Sequence, residues 1–410
     1  MGRQIWGAGA LIALLCLVSS CGGGGGGGSA DTAPSAGSVG TPTASGADPD
    51  GPSDDTPSPD PEPAPQPSPE PAPLEAAENE DLFAPIIAAI EASPVENLLV
   101  VFGDEDERLF AYEKGHFPEQ ETYLTASAAK LLSGATFFRL IEDGVMRLDD
   151  RPSAYFDYWT TDPADPRSEI TLAHLLGFVS GFHSNPLLSP GCANNPLMTL
   201  QECAQKYYED GLNGDPGGVF DYGPSHFQIA AAMAEQAMGL PYTEIFETVT
   251  AAAIGMTDTE FKSPSRQNPK AAGGATSSPV DYEKFLQALL SERFLPNLSA
   301  FAEDRTPNAR FRGRPKVKSI EGSDWHYSSG AWLECDAPRF TKACAEEAVI
   351  SSPGAFGWTP WIDLAHGYYG MVAMEEFGVF EQEIGEEGVR LEQELQPLIE
   401  RALEELRARR

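Results

Sequence analysis

The chain has few positive charges and almost none in its N-terminal part. Its 410 residues include 27 lysines and arginines against 62 aspartates and glutamates, which gives a formal net charge of -35. No lysine or arginine lies between Arg3 and Arg108. Because nucleic-acid binding depends on basic side chains that neutralise phosphates, this charge balance argues against a nucleic-acid partner.

The N-terminus also lacks a hydrophobic run of membrane-spanning length. An apolar stretch at residues 5–18 follows the positive start at Arg3 and ends in Ser19-Ser20-Cys21. A run this short predicts an export signal rather than a transmembrane helix. The position of Cys21 resembles the lipidated cysteine of a bacterial lipoprotein signal, so residues 1–21 are predicted to be such a signal. A plain signal peptide with an incidental cysteine is the alternative.

Residues 22–78 lack the apolar content that a folded core requires. Seven glycines at positions 22–28 precede a segment rich in Pro, Ser, Asp and Glu. This composition predicts a disordered anionic tether. We therefore expect an exported protein that carries acyl chains on Cys21. These chains would anchor it to the bacterial cell envelope, at the outer membrane and facing the periplasm or the cell surface. That lipid anchor would be its only contact with the membrane.

Cysteine is scarce, and its spacing does not indicate a metal site. Of the six cysteines, two fall in the predicted signal, and the others are Cys192, Cys203, Cys335 and Cys344. An even set in an exported protein favours disulfides, and the pairs Cys192–Cys203 and Cys335–Cys344 are the simplest of the three connectivities. Neither pair has the short gap of a zinc knuckle, so we expect no metal.

Residues 79–410 are predicted to form one globular domain with a substantial core, since hydrophobic residues make up 41% of the chain and charged residues 22%. Apolar periodicity predicts helices at residues 82–92, 131–140, 170–178, 225–238 and 387–410. Strand-like runs lie at residues 98–102, 109–112, 327–335, 345–351 and 367–374. Two early strands, a helical middle and three late strands predict an α/β (α+β) fold in which a single sheet lies beside an all-helical lobe, with a cleft between them.

The segment Thr125-Ala126-Ser127-Ala128-Ala129-Lys130 places a hydroxyl and an amine three residues apart at the start of a predicted helix. Serine becomes a good nucleophile when a neighbouring base takes its proton. Lysine can be that base if its amine is neutral, a state that burial and nearby positive charge both favour. Backbone N–H groups at a helix N-terminus would also stabilise a developing oxyanion. Taken alone, the hexamer is equally compatible with an ordinary helix start.

Longer segments, in order, resemble serine β-lactamases and penicillin-binding proteins, particularly the class C and esterase branch with its Ser-x-x-Lys motif. SAAKLLSGATFFRLIEDGVMRLDDRPSAYF resembles their nucleophile helix, and ITLAHLLGFVSGF resembles the next helix and its Ser-Gly turn. The region beginning FDYGPSHFQIAAAM resembles the surroundings of the active-site tyrosine, and AAGGATSSPVDYEKF resembles the later Gly-Gly segment. The resemblance runs from about residue 97 to 375. It implies the β-lactamase/transpeptidase-like fold, an antiparallel sheet flanked by helices plus an all-helical lobe, with the active site in the intervening cleft.

Residue by residue, the resemblance implies three catalytic groups. Ser127 would be the acyl-accepting nucleophile, Lys130 its proton-transfer partner, and Tyr222 the phenol that passes a proton to the leaving group. No cofactor is implied. The disulfide Cys335–Cys344 would hold the hairpin before the third motif, and Cys192–Cys203 would hold the long loop before Tyr222.

The segment VISSPGAFGW matches the family's third motif, with Ser352 and Gly354 at its key positions. Gly354 would let the strand approach the substrate, and the backbone N–H groups of Ser127 and Ala355 would form the oxyanion hole. Ser352 cannot supply the positive charge with which many relatives hold a substrate carboxylate.

The tyrosine motif departs from the family pattern as well. Pro224 stands where the substrate-facing asparagine of Tyr-x-Asn would be, followed by Ser225 in the same cleft wall. These changes favour an esterase, amidase or peptidase acting on a small-molecule or peptide-like ester or amide. A true β-lactamase or D-alanyl-D-alanine carboxypeptidase is the first alternative, and a non-catalytic envelope-binding protein on the same fold is the second. The oligomeric state stays open.

Overall fold

The main sheet is antiparallel, and helices cover both of its faces. The computed structural model describes residues 80–183, 191–312, 323–347, 349–375 and 381–409. Its strands are β1 Leu98–Gly103, β2 Arg108–Lys114, β3 Tyr123–Leu124, β4 Val219–Asp221, β5 Glu260–Phe261, β6 Pro264–Ser265, β7 Asn268–Pro269, β8 Ala275–Ser277, β9 Arg310–Arg312, β10 His326–Tyr327, β11 Trp332–Leu333, β12 Val349–Ser351, β13 Thr359–Asp363 and β14 Tyr368–Ala373. The order in the main sheet is β10-β11-β12-β13-β14-β1-β2.

The helices divide between the two faces of the sheet and a separate helical lobe. They are α1 Glu80–Ala92, α2 Ala129–Glu142, α3 Leu172–Leu176, α4 Leu200–Asp210, α5 Ser225–Met238, α6 Tyr242–Ile245, α7 Ala252–Ile254, α8 Pro279–Leu290, α9 Leu298–Phe301, α10 Lys342–Glu347 and α11 Glu381–Arg409. A π-helical turn, Phe246–Ala251, joins α6 to α7. The predicted arrangement, an antiparallel sheet flanked by helices beside a helical lobe, is confirmed.

Strand β1 shows why the sheet has two cores. Its sequence LLVVFG is buried at every position. Leu98, Val100 and Phe102 belong to the core that α1 and α11 close, whereas Leu99 and Val101 belong to the core that contains α2. Successive side chains of a strand point to opposite faces, so a strand covered on both sides requires a continuous apolar run.

Most predicted helices are confirmed, and one has the predicted bounds. The helix predicted at residues 225–238 is α5, Ser225–Met238. The C-terminal helix begins at Glu381, six residues before the predicted start at 387. The helix predicted at 170–178 is shorter, since α3 spans only Leu172–Leu176. Phe178 has a positive φ of 57°, which is not a helical conformation.

Two of the late strands were predicted correctly only in part. The run 327–335 is two short strands, β10 and β11, because a turn containing Gly330 at φ 100° separates them. The run predicted at 345–351 is helical up to Glu347, since Thr341 Oγ1 accepts a hydrogen bond from the Cys344 backbone N–H and starts α10, and its end is the strand β12, Val349–Ser351. Strand β13 was missed, and its Pro360 is a residue that usually argues against an inner strand.

Helix α2 lies unusually close to the turn between β10 and β11. A Cβ at Gly134 would overlap the carbonyl oxygen of Ser329, and a Cβ at Gly330 would lie 2.6 Å from the carbonyl oxygen of Lys130. The two glycines therefore let the end of the sheet contact the first turns of α2. The aromatic rings of Tyr327 and Trp332, on the two strands that this turn joins, pack against Tyr222.

Both predicted disulfides are present. Cys192–Cys203 joins a short turn, Cys192–Asn194, to α4, and Cys335–Cys344 closes the connection between β11 and β12. Within the described residues, no helix combines the length and apolar character needed to cross a bilayer. The predicted signal at 1–21, Cys21 and the tether at 22–78 lie outside the described residues.

A pair of carboxyl groups connects α11 to the sheet beside the third motif. Glu392 on α11 is 0% exposed, and it faces Glu334 at the end of β11. Burial raises the pKa of Glu334 to about 7, and burial with the neighbouring Glu334 raises the pKa of Glu392 well above its ordinary value. Ser351 on β12 donates a hydrogen bond to Glu334. The pair therefore retains a proton at neutral pH.

We expect the free energy of unfolding to fall as pH rises above about 4.3, the unfolded pKa of a glutamate, because the protonated pair is more stable when buried than the ionised pair. Both folded pKa values are raised above the unfolded value of about 4.3, so this contribution is complete below that pH and is lost as pH rises through about 7 and beyond. Glu392→Gln cannot ionise and should flatten this slope, which is on the order of 1 kcal/mol per pH unit. Urea unfolding between pH 5 and 9 measures it, with the exposed Glu404→Gln as control. Equal slopes in Glu392→Gln and the wild type would contradict the prediction.

Candidate active site

Ser127 lies in a tight turn between a short strand and a helix. The turn Ala126–Ala128 is a 3-10 helix that leads directly into α2. Thr125 fixes it to β8, since its backbone N–H and its hydroxyl both donate to the carbonyl oxygen of Ala275, at 3.2 and 3.1 Å. Ala126 has φ 46°, a left-handed conformation that non-glycine residues seldom adopt and that is concentrated at functional sites. The turn therefore holds Ser127 at the N-terminus of α2.

Lys130 is the nearest base to the Ser127 hydroxyl. Its Nζ lies 2.9 Å from Ser127 Oγ and donates a hydrogen bond to the carbonyl oxygen of Ala272 at 2.7 Å. The residue is only 4% exposed. Because the Ala272 carbonyl engages one N–H of a neutral amine, the lone pair can point at the serine. The contact follows from their i, i+3 spacing at the start of α2.

The environment of Lys130 favours the neutral amine. Burial lowers its pKa well below the ordinary value of 10.5, and the positive charge of Lys270 lowers it further. Both effects penalise the ammonium form. A neutral lysine at hydrogen-bond distance from a serine hydroxyl can accept the hydroxyl proton, which is the requirement for an activated nucleophile.

Tyr222 reaches the same hydroxyl from the helical lobe. It follows β4 and precedes α5, and its phenol forms a hydrogen bond with the Ser127 side chain. Its ring lies 4.5 Å from Lys130 Nζ and stacks on Trp332 with centroids 5.7 Å apart. Burial raises the pKa of the Tyr222 phenol above its ordinary value of 10, and the Ser127 hydrogen bond offsets part of that rise. The phenol is therefore a proton donor at neutral pH.

His226 supports Tyr222 and does not contact the cavity. Its Nε2 lies 2.7 Å from the carbonyl oxygen of Asp221 and its Nδ1 lies 2.8 Å from Ser180 Oγ. The ring stacks on Phe178 at 4.8 Å. Burial lowers the pKa of His226 to about 4, so it stays neutral. The histidine thus ties the backbone beside Tyr222 to the Ser-Gly turn that follows α3.

Ser127, Lys130 and Tyr222 line one cavity of about 320 Å³. Its lining residues are Ala126, Ser127, Lys130, Tyr222, Gly223, Pro224, Lys270, Ala272, Gly273, Ala355 and Phe356. Pro224 and Ala355, both singled out from the sequence, are among them. Ser127 and Ala355, the residues predicted to offer oxyanion-hole N–H groups, border the same space, and that assignment stays a prediction.

The other residues of the third motif lie behind the nucleophile. Ser352 is 3% exposed, and its hydroxyl donates to the carbonyl oxygen of Ser127 at 3.2 Å. A Cβ at Gly354 would overlap the carbonyl oxygen of Thr125, so only glycine fits there. Ser225 is buried, and its hydroxyl donates to the His183 carbonyl at 3.3 Å rather than facing the cavity. These residues hold the Ser127 turn and the start of α5 in place.

Sequence reasoning missed Lys270, which lines the cavity on the side of the Gly-Gly segment. It stands one residue before the segment AAGGATSS, whose resemblance to the family was recognised. Its position next to a recognised motif is the signal that could have revealed it.

A group of possible metal ligands lies away from the cavity. Ligand atoms of Asp363, His366 and Glu400 are within 4.8 Å of one another. His366 Nδ1 is 2.7 Å from Asp363 Oδ2, so this pair already forms a hydrogen-bonded ion pair when the histidine is protonated. The lining of the cavity includes none of the three.

A buried amine and a phenol beside one serine, in a cleft between a helical lobe and an antiparallel sheet, are what the sequence resemblance implied. The family profile described as Beta-lactamase matches residues 96–386. The chain belongs to the β-lactamase family of serine hydrolases.

The chain is similar to a curated bacterial peptidase. The D-alanyl-D-alanine-carboxypeptidase/endopeptidase AmpH of Escherichia coli strain K12 is 29% identical over 191 residues, 41% of this chain and 49% of its own length. The chain thus spans about half the length of that curated relative.

Solved structures share the fold. The D-amino acid amidase from Ochrobactrum anthropi SV3 has a TM-score of 0.58 at 18% identity and covers 77% of this chain and 99% of its own. The octameric penicillin-binding protein homologue from Pyrococcus abyssi also has a TM-score of 0.58, at 16% identity, and covers 77% of this chain and 78% of its own.

We expect Lys130→Met to slow acylation of Ser127 by about 10²- to 10⁴-fold, the usual contribution of a general base. In the wild type, acylation should accelerate with pH through the lowered pKa of Lys130, because only the neutral amine accepts the serine proton. The rate of labelling by a fluorophosphonate between pH 5 and 10 measures both effects. Lys206→Met, which removes an exposed lysine on α4, is the control. A Lys130→Met rate equal to that of the control would remove Lys130 from the chemistry.

Proposed function

We propose that this protein is an exported, lipid-anchored serine hydrolase that cleaves an ester or amide through an acyl-enzyme on Ser127. The observation that carries the proposal is the contact of Ser127 Oγ with the buried Lys130 amine at 2.9 Å, with the Tyr222 phenol on the same hydroxyl. A serine without such partners has no means of losing its proton at neutral pH.

The three groups divide the proton transfers between them. As Ser127 Oγ attacks the carbonyl carbon, its proton passes to Lys130 Nζ, and the carbonyl oxygen becomes an oxyanion that the N–H groups of Ser127 and Ala355 stabilise. Tyr222 gives its proton to the departing alkoxide or amine and regains one from the Lys130 ammonium. Water then attacks the acyl-enzyme with the same groups as base, which releases the acid and restores Ser127.

The substrate class follows from what borders the cavity. Ser352 stands where many relatives carry a positive charge, and Ser225 follows Pro224, which stands at the position of the family's asparagine. The hydroxyls of Ser352 and Ser225 both donate to backbone carbonyls. Pro224 offers no side-chain hydrogen bond to a substrate. This supports a small-molecule or peptide-like ester or amide over a β-lactam as the preferred substrate.

A D-alanyl-D-alanine carboxypeptidase is the second candidate, and the similarity to AmpH favours it. It uses the same acyl-enzyme and differs only in the amide that is cleaved. A non-catalytic binding role is less well supported, because a cavity that only bound a ligand would have no need of a buried lysine and tyrosine on one hydroxyl.

The anchor is proposed on the sequence of residues 1–21 alone. A short apolar run that ends in Ser19-Ser20-Cys21 fits a lipoprotein signal, and the acidic, proline-rich residues 22–78 would hold the enzyme away from the envelope surface to which Cys21 is attached.

The full-length protein should be labelled covalently by a fluorophosphonate and only slowly, if at all, by a fluorescent penicillin. Ser127→Ala should abolish labelling, because it removes the only atom that bonds to the probe, while the exposed Ser299→Ala should be labelled like the wild type. The fluorescence of the protein, after it has been separated from unreacted probe, measures the extent of labelling. Labelling of the wild type by neither probe would overturn the enzymatic proposal, and rapid penicillin labelling would favour the β-lactam-recognising alternative.

Cys21→Ala should convert the protein from a membrane-bound to a soluble form. Acyl chains contribute about 0.8 kcal/mol per buried CH₂, so their loss removes the anchor. Partition between detergent and aqueous phases after expression in a lipoprotein-processing bacterium measures it, with Cys16→Ala as the matched control. A Cys21→Ala protein that remained in the detergent phase would contradict the lipid anchor.

A further inference from the structure

The charge of the candidate cavity is opposite to that of the whole protein. The chain has a formal net charge of -35, yet the residues that line the cavity include two lysines and no aspartate or glutamate. The two lysines are Lys130, which contacts Ser127, and Lys270, two residues before Ala272 in the chain. Because burial favours the neutral amine of Lys130, the cation among these lining residues is Lys270, which creates a favourable potential for a negative ligand beside the nucleophile of an anionic protein.

Lys270 has no carboxylate partner in the ranges that the structure describes. Its Nζ donates to a neutral acceptor, the side-chain oxygen of Asn194, at 3.0 Å. Burial lowers the pKa of Lys270, and no neighbouring acid offsets that effect. Many surface lysines of this chain do have one, including Lys262 with Glu260 at 2.6 Å and Lys206 with Asp210 at 2.8 Å. An anion beside Lys270 would offset the cost of its partial burial.

The backbone around Lys270 is fixed from several directions. Its N–H donates to the Ser263 carbonyl at 2.9 Å, and its own carbonyl accepts from the N–H groups of Gly273 and Gly274 at 2.9 and 2.6 Å. The carbonyl oxygen of Ala272, two residues after Lys270, accepts a hydrogen bond from the Lys130 amine. One short loop therefore orients both lysines, so the distance between Ser127 and the Lys270 charge is set by the fold.

The acceptor on the other side is fixed as well. Asn194 belongs to the turn Cys192–Asn194, which the Cys192–Cys203 disulfide ties to α4. Asn268 Nδ2 donates to the carbonyl oxygens of Cys192 and Asn195 at 2.7 and 3.0 Å and joins that turn to the loop of Lys270. Asn194, itself held in place, therefore positions the long Lys270 side chain near the cavity. Because Asn194 is neutral, the charge of Lys270 stays available to a ligand.

We propose that Lys270 is a specificity-determining residue that binds a carboxylate of the substrate, so that the enzyme prefers esters or amides carrying a negative charge over neutral ones. This inference rests on the proposed hydrolase function and adds to it the charge of the substrate. A charge-assisted hydrogen bond from Lys270 to that carboxylate would orient the scissile carbonyl at Ser127.

The test compares matched esters with purified full-length protein. The acyl-side pair is the mono-4-nitrophenyl ester of glutaric acid and neutral 4-nitrophenyl pentanoate. The leaving-group pair is the pentanoate ester of 3-hydroxybenzoic acid and that of 3-hydroxybenzamide. The ratio of kcat/KM within each pair is measured on the pH plateau, where any change in the protonation of Lys130 affects both members equally and cancels.

In at least one pair the wild type should prefer the carboxylate ester, and Lys270→Met should lower that ratio by about tenfold or more, the value of one hydrogen bond to a charged group. Lys270→Arg should retain most of the preference. The pair that responds shows whether the carboxylate lies in the acyl part or the leaving group. The matched control Lys262→Met, on the same segment but outside the cavity, should leave both ratios unchanged.

Three outcomes would overturn the assignment. The wild type could prefer the neutral ester in both pairs, Lys270→Met could keep the wild-type ratios, or it could slow both members of each pair equally, which would make Lys270 a support for Lys130 instead. Failure of the wild type to hydrolyse any of the four esters, together with absent fluorophosphonate labelling, would reject the hydrolase function itself and the inference with it.

Discussion

The burial of one amine organises the candidate site. Lys130 is almost fully enclosed, and each atom it contacts belongs to a different part of the fold: the Ser127 hydroxyl at the start of its own helix, the Ala272 carbonyl in the Gly-Gly loop, and the Tyr222 ring from the helical lobe. A lysine is expensive to bury as an ammonium and much less so as a neutral amine. The packing that hides it from water therefore also gives it the protonation state that a base requires.

Much of the remaining structure keeps that enclosure closed. The third motif contacts the Ser127 turn through the Ser352 hydroxyl and the backbone of Gly354, and the aromatic side chains of β10 and β11 pack against Tyr222. The neutral His226 fixes the chain just before Tyr222. None of these groups needs to react. Their effect is to exclude water and to set distances, on which proton transfer and nucleophilic attack depend steeply.

The sequence was sufficient for the fold and for the partners of the nucleophile, and insufficient for the walls of the cavity. Helix spacing, disulfide pairing and the ordered family motifs depend on local patterns, so α5 and both cystine pairs could be predicted. The orientation of Ser352 could not, because whether a strand residue faces a substrate or the back of a turn depends on tertiary contacts. Lys270 was missed for the same reason: a lone lysine in a loop has no periodicity, and only the folded chain brings it to the cavity that Ser127 lines.

Gly330 is constrained by a contact outside the turn in which it lies. Its backbone lies so close to the Lys130 carbonyl that a single methyl group would have to displace either the turn or the first turn of α2. Mutational tolerance at this position is therefore limited by the geometry of a base some 200 positions earlier in the chain, and not by the turn alone. A variant at this site would lose some stability to strain, and one that still folded would also lose the alignment of its proton transfers, a defect that a screen for folded protein would pass over.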